Sequence, residues 1–229
     1  MIAPIETIRV LHVDDEPEFA ETTARFLQRQ DERFVVETAT EVPDHPDRLA
    51  GDVDCIVSDY EMPGGDGIEF LEAVREEHPE LPFILYTGKG SEEIASEAIS
   101  AGVTDYLQKE SGTGQYAILA NRIGNAVEQY RSKREIERGR KRLSLFFDQS
   151  PLGVVEWNEN LEFARVNGTA EEILGYSEAE LLGRSWETVV PESEREPISD
   201  IMTELVENQG GYHNVNRNVR ADGERIVCE

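Results

Sequence analysis

The run IRVLHVDDE (residues 8–16) sets the pattern of the first half of the chain, because a short apolar segment ends there in three consecutive acids. Four more apolar runs follow it: FVVETA (34–39), DCIVSD (54–59), PFILYT (82–87) and TDYLQK (104–109). Their β-branched and aromatic residues predict strands. Amphipathic patterns predict helices over residues 17–29, 40–50, 67–77, 91–101 and from 115 onward. These five strand–helix repeats predict a doubly wound, five-stranded parallel α/β sheet, which binds ligands at the carboxyl ends of its strands.

The composition indicates the salt environment in which the protein works. The 229 residues carry 48 acids and 22 bases, a formal net charge of −26, and only four of the bases are lysine. Such a surface suits a cytoplasm with molar salt, in which the Debye length falls to ~3 Å and self-repulsion is screened. We therefore predict a halophilic source, with an acidic mesophilic protein as the alternative.

The same composition argues against several locations and partners. No apolar run approaches the ~20 residues of a membrane span, and the first residues lack the pattern of a signal peptide. Two cysteines cannot make a disulfide framework. Broad binding to nucleic acid is disfavoured because phosphate contacts need clustered cations. We expect a cytoplasmic protein with no membrane and no nucleic-acid contact.

Carboxylates follow two strands that lie side by side in such a sheet. Asp14, Asp15 and Glu16 follow the first strand, and Asp59 ends the third. Unit charges ~4 Å apart repel by ~4 kcal/mol at an effective dielectric constant of 20, so a cluster of them needs a cation. Oxygen ligands with open positions favour Mg²⁺. Capping of the helix that begins near Pro17 is the structural alternative for the acidic pair, but it does not explain three acids in a row.

The two remaining strands of the crevice end in a hydroxyl and an ammonium, Thr87 and Lys109. Either residue alone carries little information at a strand end. Together with Asp14, Asp15 and Asp59 they place five polar side chains on four strand ends, and this combination predicts a functional site.

These residues resemble the receiver domain of two-component response regulators over about residues 5–128. The motifs are the acidic pair, the loop DYEMPGGDG (59–67), Thr87–Gly88 and AGVTDYLQK (101–109). The resemblance implies a flavodoxin-like fold in which Asp59 is the phosphoacceptor. It also implies Mg²⁺ bound directly by Asp15 and Asp59, by the backbone carbonyl of Glu61, and through a water by Asp14. Lys109 and Thr87 then stabilise the phosphoryl group, and Thr87 and Tyr106 form the switch.

One residue departs from the family pattern. Receiver domains usually follow the lysine with proline, often through a cis bond, whereas this chain has Glu110. A cis bond before a residue other than proline costs ~2.5–4 kcal/mol. We therefore predict a trans Lys109–Glu110 peptide and an altered loop after the fifth strand.

The last helical pattern of this domain continues past its expected end. Leu119, Ile123, Val127 and Tyr130 recur at helical spacing, and the pattern runs on towards Leu143, Phe146 and Phe147, with Gly139 as a weak point. Leu119 and Ile123 are expected to face the core. We predict a receiver domain over 1–128 and a helical linker over 129–148. A homodimer is expected through this linker, or through the face of the fourth helix, fifth strand and fifth helix.

The pattern changes after Pro151 to that of an antiparallel α+β domain. GVVEWN–ENLEFARVN (153–167) predicts a hairpin that turns at 158–160. The predicted elements that follow are short helices over 168–176, 177–183 and 185–190, a longer helix over 194–208, and strands over 212–221 and 223–229 that turn at 221–223.

The stretch 167–192 resembles PAS domains. The matching residues are Asn167, Leu174, Gly175, Tyr176, Leu181 and Gly183. The resemblance implies a five-stranded sheet with a helical flank that senses ligands or mediates dimers. No ligand-binding residue can be assigned, and we expect no cofactor, because neither cysteine lies in the helical segment and residues 194–208 contain no histidine. A PAS-like domain over 149–229 is then one strand short, which suggests that the chain is truncated at its C-terminus.

The sequence therefore predicts a phosphorelay protein. A histidine kinase or phosphotransfer protein is the expected partner, and no enzyme activity is expected beyond phosphoryl transfer to and hydrolysis from Asp59. The alternative is a ligand-sensing or kinase-regulatory docking module in which phosphorylation is secondary. A third possibility, a transcription factor, is disfavoured because the sequence contains no helix-turn-helix pattern.

Overall fold

The computed structural model describes residues 6–43, 53–62, 65–88, 90–196, 198–199 and 215–228. The chain divides into two compact units, Met1–Ile136 and Glu137–Glu229. None of the helices in the described residues combines the length and the apolar character that crossing a membrane requires.

The first unit is a five-stranded parallel sheet in the order β2-β1-β3-β6-β7, as predicted. In chain order its elements are β1 (Ile8–Val13), α1 (Pro17–Gln30), β2 (Phe34–Ala39), β3 (Cys55–Ser58), β4 (Glu61–Met62), β5 (Gly65–Asp66), α2 (Gly67–Glu77), β6 (Phe83–Thr87), α3 (Glu92–Ser100), β7 (Asp105–Gln108) and α4 (Gly114–Asp148). The order reverses between β1 and β3, and this is the point at which doubly wound sheets bind their ligands.

Apolar side chains cover both faces of the sheet. On one face, side chains of α1 and α4 pack on the strands, with Leu27, Leu119 and Ile123 fully buried. On the other face the core contains residues of α2 and α3, among them Leu71 and Ala98. Burial on both faces explains why the strands are nearly continuous apolar runs.

Helix α4 is a single helix of 35 residues that continues through Gly139. Leu119 and Ile123 are in the core as predicted, whereas Ile136, Leu143 and Phe146 are exposed. The exposed residues recur at heptad-like spacing, and the homodimer through this segment stays a prediction.

In its described residues, the second unit contains two antiparallel hairpins with short helices between them. Its elements are β8 (Val155–Trp157), β9 (Phe163–Val166), α5 (Gly168–Leu174), α6 (Glu178–Leu181), two 3₁₀ turns (Trp186–Thr188 and Glu192–Glu194), β10 (Asn216–Val219) and β11 (Arg225–Cys228). Helix α5 ends at Gly175, whose φ of 74° is the left-handed conformation that glycine adopts at low cost. Backbone N–H groups of Val219 and Ala221 donate to carbonyls of Val189 and Leu174, which ties the second hairpin to the helical segment.

Some predicted elements differ from the structure. The short helix predicted over 185–190 is the 3₁₀ turn Trp186–Thr188, since the Val189–Val190 pair that follows disfavours further helix. Most of the helix predicted over 40–50 lies outside the described residues, and residues 40–43 are not helical. The helix predicted over 194–208 is described only at 194–196 and 198–199: Glu194 ends a 3₁₀ turn, and the other four residues are helical.

Candidate functional site

The carboxyl ends of β1 and β3 bring three carboxylates together. Asp14, Asp15 and Asp59 each place a carboxylate oxygen within 4.8 Å of the others. Asp14 is completely buried, the Asp59 side chain is 12% exposed, and Asp15 faces solvent. The cluster is thus closed on the side of the core and open to solvent on the side of Asp15.

Lys109 supplies the positive charge of this site from beyond the end of β7. Its Nζ lies 2.8 Å from Asp14 Oδ2 and 2.7 Å from Asp59 Oδ2. It also lies 4.5 Å from the centroid of the Phe19 ring, on α1. Burial alone would lower the pKa of Lys109, but the hydrogen bonds to both carboxylates outweigh it and raise the pKa above its usual value. Lys109 therefore stays charged at neutral pH and offsets the repulsion between the two acids.

The donor set fits a hard divalent cation. Three carboxylates supply oxygen ligands, and the exposure of Asp15 leaves the cluster accessible to water. Mg²⁺ favours such partly hydrated oxygen sites over complete protein cages. The assignment of Asp14 to a water-mediated contact, and of the Glu61 carbonyl to direct contact, stays a prediction.

The backbone of Gly67 lies close to that of Asp59 and Tyr60. Tyr60 N–H donates to Asp59 Oδ1 at 2.7 Å, and Gly67 N–H donates to the Tyr60 carbonyl at 2.8 Å. A Cβ atom at Gly67 would lie 2.2 Å from the Asp59 carbonyl oxygen. Only glycine permits this approach, and the hydrogen bond from Gly67 to Tyr60 holds the backbone next to Asp59. Asp66 caps α2 immediately before it, accepting from the N–H groups of Ile68 and Glu69.

The two residues predicted as a switch lie on neighbouring strands. Thr87 ends β6 and is 1% exposed. Tyr106 lies in β7, pairs with Leu85, and is half-buried against the core on the α2–α3 side of the sheet. Glu61 is exposed and pairs with Asp66 in the short β4–β5 ladder. The peptide after Lys109 is trans, as predicted.

His12 is a site residue that the sequence reasoning missed. It is completely buried, with Nδ1 3.2 Å from the Val57 carbonyl oxygen and Nε2 3.8 Å from Asp14 Oδ2. Because a carbonyl can only accept, Nδ1 carries the proton and Nε2 is bare in the neutral ring. Burial lowers the pKa of His12 below its usual value despite the neighbouring carboxylates, so the ring is neutral beside the cluster. The missed signal was the period of two, since His12 and Asp14 share one face of an extended segment.

The model of the response regulator receiver domain family matches residues 10–119. The first unit is a receiver domain. A solved signal receiver domain from Vibrio parahaemolyticus superimposes with a TM-score of 0.51 and 19% identity, covering 57% of this chain and 98% of that one. This likeness and the sheet order β2-β1-β3-β6-β7 show the receiver fold.

The model of the PAS fold matches residues 141–229, so the receiver domain is followed by a PAS domain. The bacterioopsin transcriptional activator of Halobacterium salinarum is 27% identical over 95% of this chain and 34% of its own length. The nitrogen assimilation regulatory protein NtrX of Azorhizobium caulinodans is 31% identical over 56% of this chain and 28% of its own length. The chain therefore spans about a third of the length of these relatives.

In the PAS domain, the side chain of Asn167 makes four hydrogen bonds. It is 1% exposed. Its Oδ1 accepts from the N–H groups of Val154 and Ala170 at 2.8 and 2.9 Å, and its Nδ2 donates to the carbonyls of Phe147 and Leu152, both at 2.9 Å. One side chain thereby joins the last turn of α4, the first hairpin and α5.

Proposed function

We propose that this chain is a phosphorelay module in which Asp59 accepts a phosphoryl group from a histidine kinase or a phosphotransfer protein. The observation that carries the proposal is the Lys109 ammonium, bound to Asp14 and Asp59 at once, with Asp15 completing the cluster. A buried carboxylate held by a cation at the mouth of a parallel sheet suits nucleophilic attack on phosphorus. The family match over residues 10–119 supports the same role.

The proposed reaction moves a phosphoryl group from a phosphohistidine of the donor protein to Asp59. A carboxylate oxygen of Asp59 forms the new phosphorus–oxygen bond while the phosphorus–nitrogen bond of the donor phosphohistidine breaks, and the imidazole leaves with that electron pair. Charge on the transferring oxygens is the main barrier to such a step. Lys109 is already 2.7 Å from the acceptor carboxylate, so it follows the developing charge without a large movement.

We propose that Mg²⁺ is held directly by Asp15, Asp59 and the backbone carbonyl of Glu61, and through a water by Asp14. When bound, the ion supplies charge neutralisation for the phosphoryl oxygens. Hydrolysis of the aspartyl phosphate at the same site is the one further reaction proposed for this chain.

Phosphorylation is proposed to act through Thr87 and Tyr106. The phosphoryl group offers the Thr87 hydroxyl a strong acceptor, which shifts a two-state loop and lets the Tyr106 ring turn further inward. The change would then pass from a receiver domain over 1–128, along the helix over 129–148, to the PAS domain over 149–229. The long α4 supports this route because it leaves the receiver core and continues to Asp148.

A transcriptional output is a second proposal, for the whole protein rather than for this segment. The Halobacterium relative is a transcriptional activator and aligns with 95% of this chain over only 34% of its own length. A corresponding output region would then lie outside these 229 residues. The high acidity of this chain, with a net charge of −26, argues against DNA contact by the segment itself.

The phosphoacceptor role is tested by intact-mass spectrometry of the protein incubated with a small phosphodonor and Mg²⁺ in molar KCl. We expect a gain of one phosphoryl group that EDTA abolishes and that Asp59→Asn lacks. Persistent uptake by the variant would refute the assignment of Asp59. Absence of uptake by a folded, Mg²⁺-binding wild type would refute the phosphorelay role.

A further inference from the structure

The loop after β7 begins with Lys109 and is held by one side chain. Gln115, at the start of α4, makes three hydrogen bonds with its terminal amide. Its Oε1 accepts from the Glu110 N–H at 3.0 Å and from the Tyr86 hydroxyl, and its Nε2 donates to the Gly112 carbonyl at 3.0 Å. This one residue thus connects strand β6, the loop after Lys109 and the first turn of α4.

The orientation of the Gln115 amide follows from its partners. A flipped amide would point its NH₂ group at the Glu110 N–H, donor against donor, and its oxygen at the Gly112 carbonyl, acceptor against acceptor. The observed orientation satisfies all three contacts. It depends on the residue after the lysine not being proline, because proline has no N–H to donate.

The Tyr86 hydroxyl anchors this network to the rigid sheet. Tyr86 is 1% exposed, in the strand position before Thr87. Its ring lies 6.0 Å from the ring of Phe19, and the Phe19 ring in turn lies 4.5 Å from Lys109 Nζ. Gln115 therefore contacts one member of the Tyr86–Phe19 ring pair, and the Lys109 side chain contacts the other.

The backbone of Lys109 is fixed on both sides. Its own N–H donates to the Thr87 carbonyl at 2.8 Å, which extends the pairing of β6 and β7 by one residue. The next N–H, that of Glu110, leaves the sheet and donates to Gln115. Without the second bond the peptide after Lys109 is anchored on one side only, at the point from which the ammonium must reach both Asp14 and Asp59.

We propose that Gln115 is a positioning residue for phosphoryl transfer, which holds the peptide after Lys109 so that the ammonium stays between Asp14 and Asp59. This role rests on the proposed function of Asp59. It goes beyond the family pattern, in which a proline follows the lysine. In this chain a glutamine five positions after the proline position binds the Glu110 N–H and the Tyr86 hydroxyl instead.

The test compares two Gln115 variants of the full chain. Gln115→Leu removes every hydrogen bond, while Gln115→Glu keeps an acceptor for Glu110 and Tyr86. We expect the phosphorylation rate to fall about tenfold in the leucine variant, the scale seen when an outer-shell partner is lost, with Mg²⁺ affinity within about twofold of wild type. The glutamate variant should recover part of the rate, because it keeps the acceptor for Glu110 but sets an oxygen against the Gly112 carbonyl. Tyr86→Phe should show a smaller loss than the leucine variant. Ser111→Ala, on the same loop and exposed, is the control.

A second measurement does not depend on phosphorylation. The chain has only four lysines, so reductive methylation followed by peptide mass analysis reports on Lys109 individually. We expect Lys109 to react roughly threefold faster or more in Gln115→Leu, since its ion pairs loosen, while the exposed Lys133 and Lys141 keep their rates as internal references.

The outcomes distinguish failure of the positioning role of Gln115 from failure of the proposed function of Asp59. Equal phosphorylation rates in wild type and Gln115→Leu, or equal losses in the leucine and glutamate variants, would overturn the positioning role. If wild type takes up no phosphoryl group, the proposed function fails, and the methylation of Lys109 still decides whether Gln115 holds the loop: an unchanged rate overturns it. Thermal unfolding of each variant checks that the rates belong to folded protein.

Discussion

Lys109 Nζ lies 2.7 Å from Asp59 Oδ2, although the two residues are 50 positions apart in the chain. The contact joins the ends of two strands that are separated in the sheet by β6. It pairs the proposed nucleophile with the cation that stabilises the group it receives. The same ammonium lies 2.8 Å from Asp14, so it offsets the repulsion between two carboxylates that share one site.

Replacing Lys109 with methionine separates its two effects. We expect the phosphorylation rate to fall by about tenfold or more, since transition-state charge loses its partner. Mg²⁺ affinity should stay equal or increase, because the ion then meets two uncompensated carboxylates. Calorimetric titration with MgCl₂ and intact-mass kinetics measure the two quantities. Lys133→Met removes an exposed cation paired with Glu80 and is the matched control; weaker Mg²⁺ binding in Lys109→Met would contradict this account.

Asp15 is the carboxylate of the cluster that faces solvent. We expect Asp15→Asn to weaken Mg²⁺ binding by about tenfold or more, because one charged ligand becomes neutral. Glu16→Gln is the control: Glu16 is adjacent and exposed, and its backbone N–H, which the substitution keeps, donates to Asp14 Oδ1 at 3.1 Å. Equal losses in both variants would show that general negative charge, rather than a defined ligand, attracts the ion.

The buried imidazole of His12 predicts how stability depends on pH. Burial lowers its pKa in the native state below the ordinary value of 6.5. The unfolded chain therefore takes up a proton first, and the free energy of unfolding decreases as the pH falls below about 6.5, by at most about 1.4 kcal/mol per pH unit from this group. Urea unfolding of the receiver domain, followed from neutral pH down through the ordinary histidine range, measures the dependence.

His12→Gln should make this pH dependence shallower, whereas His78→Gln should retain it because His12 is still present. An identical slope in wild type and His12→Gln would rule out His12 as its source. The slope is the relevant quantity here, since the substitution in a packed strand lowers stability at every pH.

Asn167 predicts a stability effect confined to the PAS domain. Asn167→Ala removes four hydrogen bonds from a buried site, and we expect the free energy of unfolding of this domain to fall by about 3 kcal/mol. Both tryptophans, Trp157 and Trp186, lie in the second unit, so their fluorescence during urea unfolding reports on it alone. Asn160→Ala, at an exposed position, should change stability by less than about 0.5 kcal/mol; similar losses in both would contradict the bridging role.

The sequence predicts the strands, their ends and the convergence of Asp14, Asp15, Asp59 and Lys109, because these follow from local patterns and from the rule that parallel strands end at one edge. His12 was missed because a single histidine in an apolar strand does not by itself indicate a site. It does so only when Asp14, two residues further on, is recognised as a site residue on the same face. The Gln115 network was also missed. Its partners come from three separate segments, and no spacing rule links residues 86, 110 and 115.

The short second domain is predicted less completely. Its hairpins and their turns follow from Asn158–Asn160 and from Ala221–Gly223, where turn residues interrupt alternating runs. The 3₁₀ turn at Trp186 does not follow, since so short a segment carries too little periodicity to separate it from an α-helix.

The central claim is that Asp59 is the residue that becomes phosphorylated. Borohydride reduction of the protein after incubation with a phosphodonor and Mg²⁺ converts a phosphorylated aspartate into homoserine, which peptide mass spectrometry locates. We predict homoserine at position 59 alone, and none when Mg²⁺ is removed. Homoserine at position 14 or 15, or phosphoryl uptake without any homoserine at position 59, would contradict the account.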